Sequence, residues 1–256
     1  MTADQTPTSR LTVDFEGLGI PVGSYALPTR GAVEHLGEDT AARFAEHFAG
    51  RLPLAALTAT ETAFLREHFL DQFTERRDRA LEYFGRNVPL RYRDAKPDER
   101  AAAWARGVAA DPHGTKSKLL LGSTGTGKTH WAYGALRALA DAGAWVPWKA
   151  VTEADLYSRL RPRPGHDPEA EFLTMAGCPL LFLDDLGAAK FSEWTEEVTY
   201  RLVNYRYDHC LPGIFTSNVL PQDFAATFGD RITSRLVEMC DQVALKGADR
   251  RREARA

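Results

Sequence analysis

The chain has 256 residues, of which 44% are hydrophobic and 26% charged, with a formal net charge of −3. That length allows one large domain or two modest ones, with a sizeable core and no need of covalent staples. The slight acidic excess argues against a protein that coats duplex DNA by bulk charge. Cys178, Cys210 and Cys240 are scattered singly, which fits neither a disulfide framework nor a Cys-x-x-Cys metal site and agrees with buried thiols in a reducing cytoplasm. No apolar run approaches the roughly 18–20 residues that span a bilayer, and MTADQTPTSR lacks the basic-then-apolar order of a signal peptide. A cytoplasmic protein without membrane contact is the expectation.

Residues 1–36, rich in Gly, Pro and Thr, read as an irregular or mobile segment. A helical region follows over 37–86, a candidate partner dock. Asp39 or Thr40 can cap a first helix in which Ala41, Phe44, Ala45 and Phe48 share a face, and Gly50 stops it. A longer helix is expected from about Thr60 to Phe84, with Leu65, Phe69, Phe73, Ala80 and Phe84 as its apolar stripe. Residues 87–116 read as a connector, with Pro89, Pro97 and Pro112 around a helical stretch, Asp98–Val108.

From there, over 117–250, short apolar runs alternate with amphipathic stretches, the signature of a parallel α/β sheet. Strands are expected at Lys118–Leu121, Ala144–Ala150, Pro179–Asp184, Gly213–Ser217 and Asp241–Leu245. Helices are expected at Lys128–Ala142, Glu153–Leu160, Glu193–His209, Pro221–Phe228 and Arg231–Met239, ahead of a basic tail at 251–256. Arginines cluster at 76–93, 159–163 and 250–255. Each cluster reads either as a solvated face or as a path for nucleic-acid phosphate.

Gly122-Ser123-Thr124-Gly125-Thr126-Gly127-Lys128-Thr129 satisfies Gly-x-x-x-x-Gly-Lys-Thr, with an apolar strand before it and a helix after. The glycines admit backbone angles and close approaches that a Cβ would block. The loop N–H groups and the helix N-terminus then bind anionic phosphate. In this P-loop Lys128 reaches the β and γ oxygens of ATP, and the Thr129 hydroxyl joins the Mg2+ shell. Leu180-Leu181-Phe182-Leu183-Asp184-Asp185 ends a buried strand in two acids, where an unpaired charge is expensive. Asp184 is expected to hold Mg2+ through water and Asp185 to orient the attacking water. Asn218, after Phe215-Thr216-Ser217, is placed to polarise that water or sense the γ-phosphate, although Ser-Asn is also a plain turn signal. His130 and Trp131 read as packing residues or adenine-side contacts.

The order of these motifs, followed by Gly229-Asp230-Arg231-Ile232-Thr233-Ser234-Arg235-Leu236, resembles the AAA+ ATPases, and within them the DnaC/DnaI helicase-loader and IstB-like group. Thr-Ser-Asn at 216–218 and Asn204-Tyr205-Arg206-Tyr207 add to the likeness, which covers about 87–250. The resemblance implies an α/β P-loop NTPase (AAA+) with a three-layer parallel sheet and no C-terminal lid, preceded by a helical N-terminal region. It also implies an arginine finger at Arg235, with Arg231 beside it, acting on a neighbouring subunit's ATP and hence requiring self-association. Implied partners are a replicative DNA helicase and single-stranded DNA, the latter near Arg161–Gly165. The alternative within the group is a transposition helper that binds duplex DNA. One departure stands out: residues 1–116 hold no cysteine and so lack the zinc module of DnaI-like loaders. A P-loop kinase or transporter ATPase would give Arg235 no task, and a binding module with a vestigial site would show no turnover.

Overall fold

A computed structural model describes residues 15, 17–21, 25–189 and 192–246. The basic tail and most of the first 24 residues lie outside the described residues. Two compact units divide at Arg76/Arg77.

In the first unit, α1 spans Arg30–Val33, α2 spans Thr40–Phe48, and α3 spans Ala59–Asn87 and continues into the second unit. Phe44, Phe48, Leu65 and Phe69 pack with Leu18, Ile20, Tyr25 and Val33, so part of the stretch expected to be irregular supplies core. Asp39 occupies the N-cap position of α2 without a side-chain capping bond. Gly50 ends that helix at φ +74, where a residue with a Cβ is strained.

The second unit adds α4 Glu99–Ala110, β1 Ser117–Leu121, α5 Lys128–Asp141, β2 Trp148–Thr152, α6 Glu153–Leu160, α7 Pro168–Ala176 and β3 Leu180–Leu186. After these come α8 Glu193–Asp208, β4 Gly213–Ser217, α9 Phe224–Met239 and β5 Cys240–Ala244. The strands form a five-stranded sheet in the order β2-β3-β4-β1-β5, with every neighbouring pair parallel. Alternation along the strands makes the layers. Leu120, Leu180, Phe182 and Ile214 face α4 and α5, whereas Leu119, Leu121, Leu181, Leu183 and Phe215 face α6 to α9.

Two elements differ from the sequence reading. The second strand runs Trp148–Thr152 rather than Ala144–Ala150, because Pro147 has no N–H for a ladder and pairing starts after it. Helix α7 has no counterpart among the expected helices, yet Asp167 caps it by accepting from Glu169 N and Ala170 N, and Pro168 occupies its first turn. The two helices expected before β5 are present as the two halves of α9, separated at Gly229, whose backbone is non-helical (φ +77, ψ 162), and led in by a 3-10 turn at Pro221–Asp223. The stretch 87–116 holds α4, which buries Ala101, Trp104, Ala105 and Val108 in the cluster that includes α5. Gly134 on α5 admits the segment leading into α4 closely: a Cβ there would stand 2.8 Å from the Lys96 carbonyl oxygen.

Among the described residues no helix is long and apolar enough to cross a membrane.

Candidate nucleotide site

The sheet order sets the site. β1 delivers the P-loop and β3 the two acids, with β4 between them. At the end of β1 the chain turns through Gly122, Gly125 (φ +88) and Gly127 (φ +94), the last of which caps α5. A Cβ on Gly122 would lie 2.4 Å from the Leu245 carbonyl oxygen, so the loop closes against the residue that follows β5 only with glycine there. Thr126 fixes the turn by donating from Oγ1 to Ser123 O at 2.9 Å.

Lys128, the first residue of α5, is buried, and its Nζ donates to Gly122 O (2.8 Å), Ser123 O (3.0 Å) and Asn218 Oδ1 (2.7 Å). The ammonium therefore sits folded over its own loop at a helix N-terminus, where anions are favoured. Ser123 and Thr124 form the rest of the loop rim.

On the acid side, Thr129 Oγ1 donates to Asp184 at 3.1 and 3.2 Å, and Thr216 Oγ1 donates to the same carboxylate at 2.5 Å. Burial pushes the Asp184 carboxyl up from its ordinary value. The Thr216 hydrogen bond opposes that rise, and the charge of Asp185 adds to it. Asp185 is exposed in the left-handed region (φ +57), and its N–H donates to Thr216 Oγ1 at 2.9 Å. A hydroxyl and a partly buried carboxylate are hard oxygen donors, the kind that suits Mg2+, and a bound cation would relieve the burial of charge. Thr129 and Asp184 thus fit the expected metal.

Thr216 has no role in the sequence reading, although it bridges Asp184 to the Asp185 backbone. The available signal was a polar Thr-Ser pair closing an otherwise apolar strand. Glu153, the residue after β2, is also new. Buried, it accepts from Tyr157 OH (3.0 Å), Gly187 N (3.0 Å) and Ala189 N (3.1 Å), and so anchors the turn that leaves β3. Burial raises its pKa above the ordinary value despite those donors. Because the folded carboxyl binds its proton more tightly than the unfolded one, stability falls as pH rises from the ordinary Glu range through the folded pKa. Glu153→Gln is expected to flatten that dependence in denaturant titrations between pH 4 and 8; an unchanged slope would remove Glu153 as its source. Gly187 in the same turn (φ +86) leaves no room for a Cβ, which would meet Phe228 Cζ at 2.7 Å and Val219 Cγ2 at 2.8 Å. Gly187→Ala should cost about 2–3 kcal/mol in urea unfolding from strain and overpacking.

The arginines lie elsewhere. Arg235 is half-buried on α9, with its guanidinium carbon 5.1 Å from the Tyr200 ring centre and 5.7 Å from that of Tyr207, both on α8. Its Nη1 donates to Arg231 O at 3.4 Å. Arg231 is exposed and borders a groove of about 510 Å³ with Glu193, Glu196 and Glu197. Among the described residues neither arginine has a contact with the P-loop or with Asp184 and Asp185. Trp131 is a packing residue, its Nε1 donating to Asp98 Oδ1 at 2.9 Å. Several clustered arginines have partners within their own chain: Arg86 bonds Glu82, Arg159 lies 3.8 Å from Glu171, and Arg161 lies 5.8 Å from the Trp194 ring centre.

Residues 113–256 match the family described as IstB-like ATP binding protein. The phage-like element PBSX protein XkdC of Bacillus subtilis (strain 168) is 30% identical over 139 residues, half of this chain and half of that one. The chain therefore spans about half the length of this curated relative. Among solved structures, the DnaC helicase loader is 27% identical with a TM-score of 0.54, the match covering 62% of this chain and 100% of that one. DnaI is 26% identical with a TM-score of 0.50, the match covering 59% of this chain and 82% of that one. A five-stranded parallel sheet of the P-loop AAA+ kind carries these motifs on a matched stretch longer than half the chain, and the chain belongs to the IstB-like ATP binding protein family.

Proposed function

We propose that the chain hydrolyses ATP and serves as a replicative helicase loader, an ATP-driven switch that binds the helicase and single-stranded DNA. The carrying observation is the paired arrangement Lys128–Asn218 and Thr129–Asp184–Thr216 at the ends of three adjacent strands. Lys128 and the loop N–H groups of 122–129 hold the phosphates. Thr129 and Asp184 hold Mg2+, which when bound neutralises phosphate charge. Asp185, exposed beside them, orients water, and Asn218 reports the state of the γ-phosphate through its bond to Lys128. Asp is one methylene shorter than the Glu that many such ATPases carry at this position, which favours slow turnover. Arg235, with Arg231 beside it, acts as a finger on a neighbouring copy, so that the complete site is made by self-association.

The loader reading rests on the likeness to the DnaC loader across the whole of that chain. The family match favours a second reading, a transposition helper that binds duplex DNA. A pull-down against the host replicative helicase with and without ATP, run beside binding to single-stranded and duplex DNA, separates the two. Helicase capture and a single-strand preference are expected. No capture in either nucleotide state, together with a duplex preference, would replace the loader by the helper. Turnover should also require the acid pair: Asp184→Asn is expected to cut ATP hydrolysis by at least about 100-fold and to abolish its Mg2+ dependence in a phosphate-release assay.

A further inference from the structure

We propose that Tyr200 and Tyr207 form an aromatic seat that holds Arg235 in the orientation in which it serves a neighbouring copy, a positioning role that rests on the finger reading above. Tyr200 and Tyr207 are seven residues apart on α8, hence two turns apart on one face. Both are half-buried, so each keeps part of its surface toward solvent. The Arg235 guanidinium carbon lies 5.1 Å from one ring centre and 5.7 Å from the other, within the range in which a cation is attracted to an aromatic face. Tyr207 is itself fixed, because its hydroxyl donates to Glu238 Oε1 at 2.7 Å. The buried Nε of Arg235 has no hydrogen-bond partner, and Nη1 makes a long bond to the Arg231 carbonyl. Ring faces rather than a carboxylate therefore hold the guanidinium. A carboxylate partner would neutralise the charge that a finger must deliver; an aromatic seat restricts the side chain while leaving its charge and its outer N–H donors available.

Mixed assemblies test the seat. An acceptor chain carrying Arg235→Ala keeps its own P-loop but lacks a finger, and a donor chain carrying Lys128→Ala supplies Arg235 but cannot use ATP. Mixing them should restore turnover that neither shows alone. In donors that also carry Tyr200→Leu and Tyr207→Leu, the restored kcat should fall about tenfold, with KM for ATP unchanged because the acceptor site is intact. Donors carrying Tyr200→Phe and Tyr207→Phe keep the ring faces and should perform within about twofold of the parent donor. If the plain donor and acceptor fail to complement, the finger reading itself is lost, and the seat with it. If they complement and the Leu donor works as well as the parent, the finger stands and the seat is overturned. Thermal unfolding of the Leu donor, compared with the Phe donor, identifies a folding defect. If the Leu donor melts early, single Tyr200→Leu and Tyr207→Leu donors replace it under the same criterion.

Discussion

Lys128→Ala should abolish ATP binding, weakening it by at least about 100-fold, because a charge-assisted donor to phosphate is lost from a partly desolvated loop. The buried ammonium holds three acceptors, Gly122 O, Ser123 O and Asn218 Oδ1. Two of these are loop carbonyls at the rim, which water can solvate once the lysine is gone, so the fold should survive. Isothermal titration with a non-hydrolysable ATP analogue, beside a thermal melt, checks both halves. A variant that binds within tenfold of the parent would mean that the loop N–H groups alone carry the phosphates.

The largest loss of stability should come from Arg206→Leu. Arg206 is fully buried. Its Nη1 donates to Ala176 O and Cys178 O, both at 2.9 Å, and its Nη2 donates to Pro212 O. Those carbonyls precede β3 and β4, the strands that carry Asp184 and Thr216, so one guanidinium ties together their N-terminal ends. Burial lowers its pKa from the ordinary value. Removing the side chain takes the guanidinium donors from three carbonyls, leaving Pro212 O only the long bond from Leu181 N at 3.5 Å, and a loss of about 3–5 kcal/mol in guanidinium unfolding is expected. Arg206→Lys cannot reach three divergent acceptors with a single nitrogen and should recover less than half of that. A loss below about 1 kcal/mol for the leucine variant would show that water enters and satisfies the carbonyls.

The P-loop was legible because its residues are constrained chemically at fixed spacing, and the apolar run before it leaves one place for the strand. The sheet was legible for a similar reason, since strands buried on both faces show as short apolar runs. Trp148–Thr152 was misplaced because Ala144, Trp145 and Val146 are equally apolar, and only Pro147 marks where pairing starts. Helix α7 is absent from the expected elements although Asp167-Pro168 announces it, because its nine residues are short and follow directly on the arginine-proline stretch. Arg206 and Thr216 lie in stretches that carry the family likeness, but their tasks, like that of Glu153, were opaque for a different reason. Each bonds backbone or side chains 28 to 36 residues away in sequence, and such tertiary partners have no local periodicity.

β4 carries two neighbouring duties on one short tripeptide. Thr216 touches the Asp184 carboxylate, Asn218 touches Lys128, and Ser217 between them donates to Leu186 O at 2.7 Å. The phosphate side and the metal side of the pocket are therefore spaced by a single backbone, which cannot be adjusted for one without disturbing the other. Substitutions at 216 and 218 should couple rather than add in a double-mutant cycle. A designer wishing to retune nucleotide preference in this protein would have to treat Thr216-Ser217-Asn218 as one interchangeable cartridge, not as three independent positions.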